Sequence, residues 1–335
     1  MNKAYNIAVV GATGLVGKTF LELLESDHFV DSKIHLIASN NSKGKEVSFR
    51  NSVHVVNSLE EFNFSEMDVA FFSVGAEVAK EYASKAERAG CFVVDNSSCF
   101  RKDENIPLIV PEINSEDVTE RRIPGIVANP NCSTIQMVVA LKPLHDLFVI
   151  NRIDVTTFQA VSGTGRLAQD ELTNQIKDQM SGEISSPQIY SKQIAFNVLP
   201  HCDDFEPNGF TKEEMKIIWE THRILNPNIE IAATCVRVPV LNGHSQSVHI
   251  ETKEPLNIDA VKECLSEAAG VKLVKGMGSE SYPTALEVDG TDPVHVGRVR
   301  IDLWNKNRVN LWIVADNLRK GAALNSIQIA EILFS

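Results

Sequence analysis

Seven residues, Gly11-Ala12-Thr13-Gly14-Leu15-Val16-Gly17, constrain this 335-residue chain more than any others. They follow a short apolar run at Asn6–Val10 and open a helical pattern that continues to about Glu25. A strand that turns on glycine into a helix leaves free N–H groups at the positive end of a helix dipole, where a pyrophosphate binds. The spacing, G-x-x-G-x-x-G rather than G-x-G-x-x-G, makes the same physical demands: a tight turn and close backbone approach. Gly11, Gly14 and Gly17 are therefore read as a dinucleotide turn. The competing reading is a turn that only packs helix on strand.

Further strands are expected at residues 33–38, 69–73 and 92–94, with a helix at 78–89 that stops at Gly90. Strands alternating with helices predict the α/β class: a Rossmann-type, doubly wound parallel sheet with ligands at the carboxyl ends of its strands. Around Asn129 the texture changes. One helix follows Cys132, then β-rich runs at 152–161, 231–240, 247–252 and 296–303 predict an α+β domain with a mixed sheet. The terminal segment reads as a strand (LWIVA), a loop (DNLRKG) and a helix with Ala323, Ile327, Ala330 and Phe334 on one face. Strand and helix are expected to return to the first domain. The expected division is 1–128 completed by 315–335, and 129–314.

The net charge of −12 argues against a sequence-independent grip on nucleic acid or an anionic membrane face. No apolar run reaches the ~18 residues of a membrane span; the stretch 134–150 is interrupted by Lys142, His145 and Asp146. The chain runs into its first strand without a basic-apolar leader, so a cytoplasmic location is expected. Six cysteines, at 91, 99, 132, 202, 235 and 264, form no C-x-x-C pair. Neither a metal site nor a disulfide framework is expected.

Cys132 differs from the other five. Its setting, Asn129-Pro130-Asn131-Cys132-Ser133-Thr134 before an apolar helical run, puts a thiol at a helix N-terminus, where dipole and N–H groups favour thiolate. The same N–H groups, with the Asn131 amide, suit an oxyanion. Among nine histidines, His244 is the best placed, where a strand ends in a glycine turn (RVPVLNGHS); Arg237 in that string suits a carboxylate. A loop histidine and a structural arginine are the plain alternative. Thr211-Lys212-Glu213-Glu214 reads as a capping box. The apolar face of its helix is expected at Met215, Ile218, Trp219, His222 and Leu225, with Glu213, Lys216 and Glu220 opposite. That polar side is either a solvated face or, through Glu213 and Lys216, the rim of an anion pocket.

A site for NAD usually carries Asp or Glu about 20 residues beyond the glycines, on the ribose 2′-OH. Residues 38–45 read Ala-Ser-Asn-Asn-Ser-Lys-Gly-Lys, with no acid. Hydroxyls and two lysines suit a 2′-phosphate, so NADP is expected; the alternative is a solvated loop.

The motifs in order, GATGLVG, DNSSCFR (95–101), NPNCST (129–134), FQAVSGTGR (158–166), TKEEMK (211–216), RVPVLNGHS (237–245) and DNLRKGAALN (316–325), identify the chain with the aspartate-semialdehyde dehydrogenase family, in its compact bacterial branch. The resemblance runs almost end to end. It implies that Cys132 forms an acyl-enzyme thioester, His244 is the acid/base and Gln159 orients the thioester or attacking group. It gives Arg237 and Glu213 the amino-acid end of the substrate, and Arg101, Asn131 and Lys216 the phosphate. Gly11, Thr13, Gly14, Leu15 and Val16 would hold the cofactor pyrophosphate, Ser39 its ribose end, and Ser162, Gly163 and Asn317 the nicotinamide end. It further implies NADPH-dependent reduction of L-aspartyl-4-phosphate in the pathway to lysine (through diaminopimelate), methionine, threonine and isoleucine. The middle domain would dimerise through its sheet, giving a homodimer or a pair of dimers.

One departure bears on the cofactor. Relatives often carry arginine after the second strand where this chain has Asn40-Asn41, which leaves NAD open as a weaker or dual cofactor. The rival readings are N-acetyl-gamma-glutamyl-phosphate reductase, whose cysteine typically follows N-P-G rather than N-P-N, and a non-catalytic relative.

Overall fold

The computed structural model describes residues 4–25, 29–119, 125–183, 186–276 and 278–334; residues 1–3 and 335, the ends of the sequence-based domain limits, lie outside them. The chain forms two compact units, Met1–Asn131 with Ala322–Ser335, and Cys132–Gly321. The sequence-based limits fall at 128/129 and 314/315.

The first unit contains β1 (Asn6–Val10), α1 (Leu15–Leu24), β2 (Lys33–Ala38), the hairpin β3 (Glu46–Phe49) and β4 (Ser52–Val55), β5 (Asn57–Ser58), β6 (Val69–Phe72), α2 (Ala76–Arg88) and β7 (Phe92–Asp95). Two single turns, α3 (Pro111–Asn114) and α4 (Glu116–Thr119), precede β8 (Ile126–Ala128). Six strands pair in the order β5-β2-β1-β6-β7-β8, all parallel. Alternate residues serve opposite faces. Ile7, Val9 and Phe71 join Phe20 and Leu24 of α1, while Ala8, Val10 and Phe72 join Ala83 and Ala86 of α2. A sheet buried on both faces reads as unbroken apolar strands, which is why its elements are legible. The order reverses between β1 and β6, so the glycine turn after β1 lies at the switch point where such sheets bind ligands.

The second unit runs α5 (Cys132–Phe148), β9 (Ile150–Gln159), α6 (Arg166–Ser181), α7 (Lys212–Ile224), β10 (Glu230–Arg237), β11 (His244–Thr252), α8 (Ile258–Glu267), β12 (Val271–Leu273), α9 (Ala285–Val288), β13 (Val294–Ile301) and β14 (Arg308–Ala315). Its sheet, β10-β9-β11-β14-β13-β12, is mixed: β9–β10 and β12–β13 are parallel and the other pairs antiparallel. The helix α10 (Leu324–Phe334) belongs to the first unit, where Ile327 and Ala330 enter the core and Phe334 stacks on Tyr5.

Three readings are corrected. The LWIVA strand does not return to the first sheet; it is β14, held between β11 and β13, with Leu311 opposite Val248 and Ile313 opposite Val296. The DNLRKG segment is a loop only at its start. Asp316 accepts from the Leu318 and Arg319 amides, and a π-helical turn at Arg319–Ala323 then leads directly into α10. On α7 the buried side is Glu213, Glu214, Ile217, Glu220, Thr221 and Ile224, rather than the apolar face read from the sequence. Glu214 is buried because it is satisfied, accepting from the amides of Thr211 at 2.7 Å and Cys235 at 3.0 Å. The capping box itself is present, a feature worth about 1 kcal/mol.

Candidate active site

In the first unit, Gly11 adopts φ +90°, and a Cβ there would fall 2.2 Å from the Ser73 carbonyl oxygen at the end of β6. A Cβ on Gly17 would meet the Gly11 carbonyl at 2.2 Å. The turn therefore needs glycine at both ends, for conformation and for closeness. Gly14 is the N-cap of α1, no side chain caps the helix, and its first turn holds no acid. A terminus built this way fits a dinucleotide pyrophosphate, and the amides of Leu15 and Val16 belong to its first turn.

Ser39 is exposed just beyond β2. Lys43 points elsewhere: its ammonium lies 2.6 Å from Glu61. The Glu60 carboxylate accepts from the Ser58 hydroxyl at 2.7 Å, and the Asn40 backbone amide also bonds it; these contacts hold its pKa below the usual value. The end of β2 is therefore less electropositive than the sequence reads. Arg101 is buried in this unit and donates to the Asn96 carbonyl at 2.7 Å; Asn131, also buried, is its last residue before Cys132.

In the second unit, Cys132 is the first residue of α5 and is half-buried. A Cβ on Gly321 would lie 2.7 Å from the Cys132 Cβ, so the π-helical turn approaches the thiol closely only because it carries glycine there. Burial pushes the thiols of Cys91 and Cys202 up to about 12, and raises those of Cys99, Cys235 and Cys264. These five are protonated at neutral pH and unsuited to attack.

His244 opens β11 and is fully buried. Its Nδ1 accepts from the Ala160 amide at 3.1 Å, while its Nε2 has no hydrogen-bond partner among the described residues. Burial first, then the Arg237 charge, lowers its pKa from 6.5 to about 3, with Glu213 opposing. The Ala160 carbonyl meanwhile accepts from Arg237 Nη1 at 2.7 Å, so one residue orients both groups. A Cβ on Gly163 would come within 3.0 Å of Arg237 Nη1 and 3.1 Å of His244 Nε2, which makes Gly163 the open side of this pair.

Gln159, at the end of β9, accepts from the Thr157 hydroxyl and donates to Glu213 Oε1, both at 3.0 Å. Glu213 also accepts from Lys216 at 3.2 Å, and Lys216 reaches Asp203 at 2.6 Å. Ser162 and Asn317 hydrogen-bond to each other, and Asn317 Oδ1 accepts from the Gly243 amide at 2.9 Å, next to His244. Contacts thus link Gln159 to Glu213 and Lys216, and group Gly163 with Arg237 and His244. Cys132 lies beside Gly321, one turn beyond Asn317. The roles of Ala160, Asp203 and Gly321 carried no sequence signal. Among the described residues no cluster of three or more His, Cys, Asp or Glu is arranged to hold a metal, and no helix is long and apolar enough to cross a membrane.

A parallel-sheet unit with a glycine turn at its switch point, followed by a mixed-sheet unit with a helix-terminal cysteine, fits the class of two-domain dehydrogenases. Residues 6–121 match the family model described as semialdehyde dehydrogenase, NAD binding domain, and residues 141–320 that described as semialdehyde dehydrogenase, dimerisation domain. The aspartate-semialdehyde dehydrogenase of Legionella pneumophila is 52% identical over 99% of this chain and 96% of its own. The crystal structure of aspartate semialdehyde dehydrogenase II of Vibrio cholerae complexed with ASA superposes with a TM-score of 0.96 at 46% identity, covering 99% of this chain and 98% of that one. A probable aspartate-semialdehyde dehydrogenase from Pseudomonas aeruginosa gives 0.94 at 33% identity, covering 99% of both chains. The chain belongs to the aspartate-semialdehyde dehydrogenase family, and is an oxidoreductase with a nicotinamide cofactor and an oligomerising second domain.

Proposed function

We propose that this chain interconverts L-aspartyl-4-phosphate with L-aspartate 4-semialdehyde and phosphate in the cytoplasm, through a thioester on Cys132, on the route to lysine, diaminopimelate, methionine, threonine and isoleucine. The observation that carries the mechanism is a helix-terminal cysteine in the same unit as a buried histidine whose Nε2 has no hydrogen-bond partner among the described residues.

In the oxidative direction, the Cys132 thiolate attacks the aldehyde carbon and the carbonyl electron pair moves onto oxygen. His244, acting at Nε2, holds the proton shared with that oxygen, and its neutral ring adds no competing charge. Gln159, held by Thr157 and Glu213, orients the thioester or the attacking group. Phosphate oxygen then attacks the thioester carbonyl, the C–S bond breaks and thiolate leaves. Arg237 takes the α-carboxylate and Glu213 the α-ammonium; Lys216 takes phosphate. When bound, the dinucleotide accepts hydride in this direction and donates it in the other.

NADP is the proposed main cofactor, because residues 38–45 offer no carboxylate to a ribose 2′-OH, with NAD as the weaker alternative. The protein acts as a homodimer joined through the second sheet, which borders a hollow of about 640 Å³ lined by Phe158, Tyr282, Leu311 and Trp312 among others. No observation favours the N-acetyl-gamma-glutamyl substrate. The test follows nicotinamide absorbance with L-aspartate 4-semialdehyde, NADP or NAD, and phosphate present or absent. Phosphate-dependent turnover supports the reading; turnover only with the N-acetyl-gamma-glutamyl substrate overturns it.

A further inference from the structure

Two fully buried glutamines of the second unit stand outside the machinery described above. Gln136 lies four residues along α5 from Cys132, and Gln246 two residues along β11 from His244, so each shares a face with its neighbour in the site. Each reaches across to the other element. Gln136 Nε2 donates to the backbone carbonyl of His244 at 3.2 Å, and Gln246 Nε2 donates to the backbone carbonyl of Ser133, next to Cys132, at 2.8 Å. These bonds fix the amide orientations, since a flipped amide would set oxygen against oxygen.

Packing alone does not account for them. The Oε1 atoms of both side chains are buried and have no hydrogen-bond partner among the described residues. A buried amide with one bond made and one acceptor unpaired contributes less to stability than an apolar side chain of similar shape. Methionine would fill either position without leaving an oxygen unpaired. What methionine lacks is direction. The two amides form a pair of bonds, running opposite ways, between the start of the cysteine's helix (Ser133 and Gln136) and the start of the histidine's strand (His244 and Gln246).

We propose that Gln136 and Gln246 are positioning residues, a reciprocal amide clamp that fixes the Cys132 end of α5 against the His244 end of β11. The proposal rests on the reading of Cys132 as nucleophile and His244 as acid/base. Chemistry at a tetrahedral centre tolerates little misplacement, so either bond matters through geometry rather than through stability.

Gln136→Met and Gln246→Met, singly and together, test this in the phosphate-dependent assay with thermal midpoints measured alongside. Each single change is expected to lower kcat roughly tenfold, with the semialdehyde KM within about twofold and the midpoint unchanged or raised. The asparagine variants, which keep the amide but retract it by one methylene, are expected to lose kcat as well. Full kcat in the double methionine variant overturns the clamp, as does a kcat that falls only in step with the folded fraction. Cys132→Ser separates the two claims. If it is inactive while the glutamine variants are fully active, only the clamp fails; if it is active, the underlying reading fails first.

Discussion

The backbone N–H of Ala160 donates to Nδ1 of His244 at 3.1 Å, which places the proton of the neutral ring on Nε2. Nε2 is therefore the ring nitrogen left to act in the proposed reaction, and the tautomer is set by the backbone rather than by a carboxylate.

The depressed pKa of His244 gives a stability signature. The folded value, about 3, lies below the unfolded value of about 6.5, so the unfolded chain takes up this proton first as pH falls. The contribution is complete above about pH 6.5 and is lost as pH drops toward 3. Urea midpoints of the native chain and of His244→Gln, followed from pH 7 to 4, are expected to converge or cross, with the native chain losing more. A native chain that gains relative stability on acidification would contradict the assignment.

Gly321 packs closely against Cys132 without chemistry of its own. In Gly321→Ala the new methyl group would sit 2.7 Å from the Cys132 Cβ, so the thiol must shift. The expected result is a kcat lower by about ten- to a hundredfold and a changed rate of Cys132 alkylation by iodoacetamide. Unaltered alkylation and turnover would show that the turn yields instead.

Lys216 is held by Glu213 and Asp203, so in the proposed role phosphate would have to compete for it. Lys216→Ala is expected to raise the phosphate KM. Asp203→Asn, tolerated at φ +67° because asparagine adopts this conformation readily, is expected to lower it a few-fold. An unchanged phosphate KM in both variants would return Lys216 to a purely structural role.

The Lys43–Glu61 pair bears on cofactor choice. Glu61→Gln frees an ammonium near the end of β2, and the ratio of NADP to NAD efficiency is expected to rise about two- to fivefold, a modest change because the pair is exposed and screened. An unchanged ratio would mean that Lys43 plays no part in recognising the 2′-phosphate.

The glycine turn after β1 and the helix-terminal setting of Cys132 were legible because their signals are local: glycines between a strand and a helix, and a cysteine directly before an apolar helical run. The placement of β14 was not, because LWIVA would suit either sheet and only its pairing with β11 and β13 decides. Helix α6 escaped notice for a related reason. Its buried side includes Glu171 and Gln175, which accept from the amides of Gln188, Ile194 and Ala195 and interrupt the apolar period. On α7, buried Glu213 and Glu220 break the same rule. Lys43 read as a phosphate ligand because its partner, Glu61, lies 18 residues away.

The most direct test of the account omits phosphate. Mixing the enzyme with L-aspartate 4-semialdehyde and NADP should give a rapid burst of NADPH equivalent to one per active site, then slow turnover, with intact-protein and peptide mass spectrometry locating an aspartyl adduct on Cys132. A burst that leaves Cys132 unmodified, or steady turnover of Cys132→Ser at the native rate, would contradict the thioester at the centre of the account.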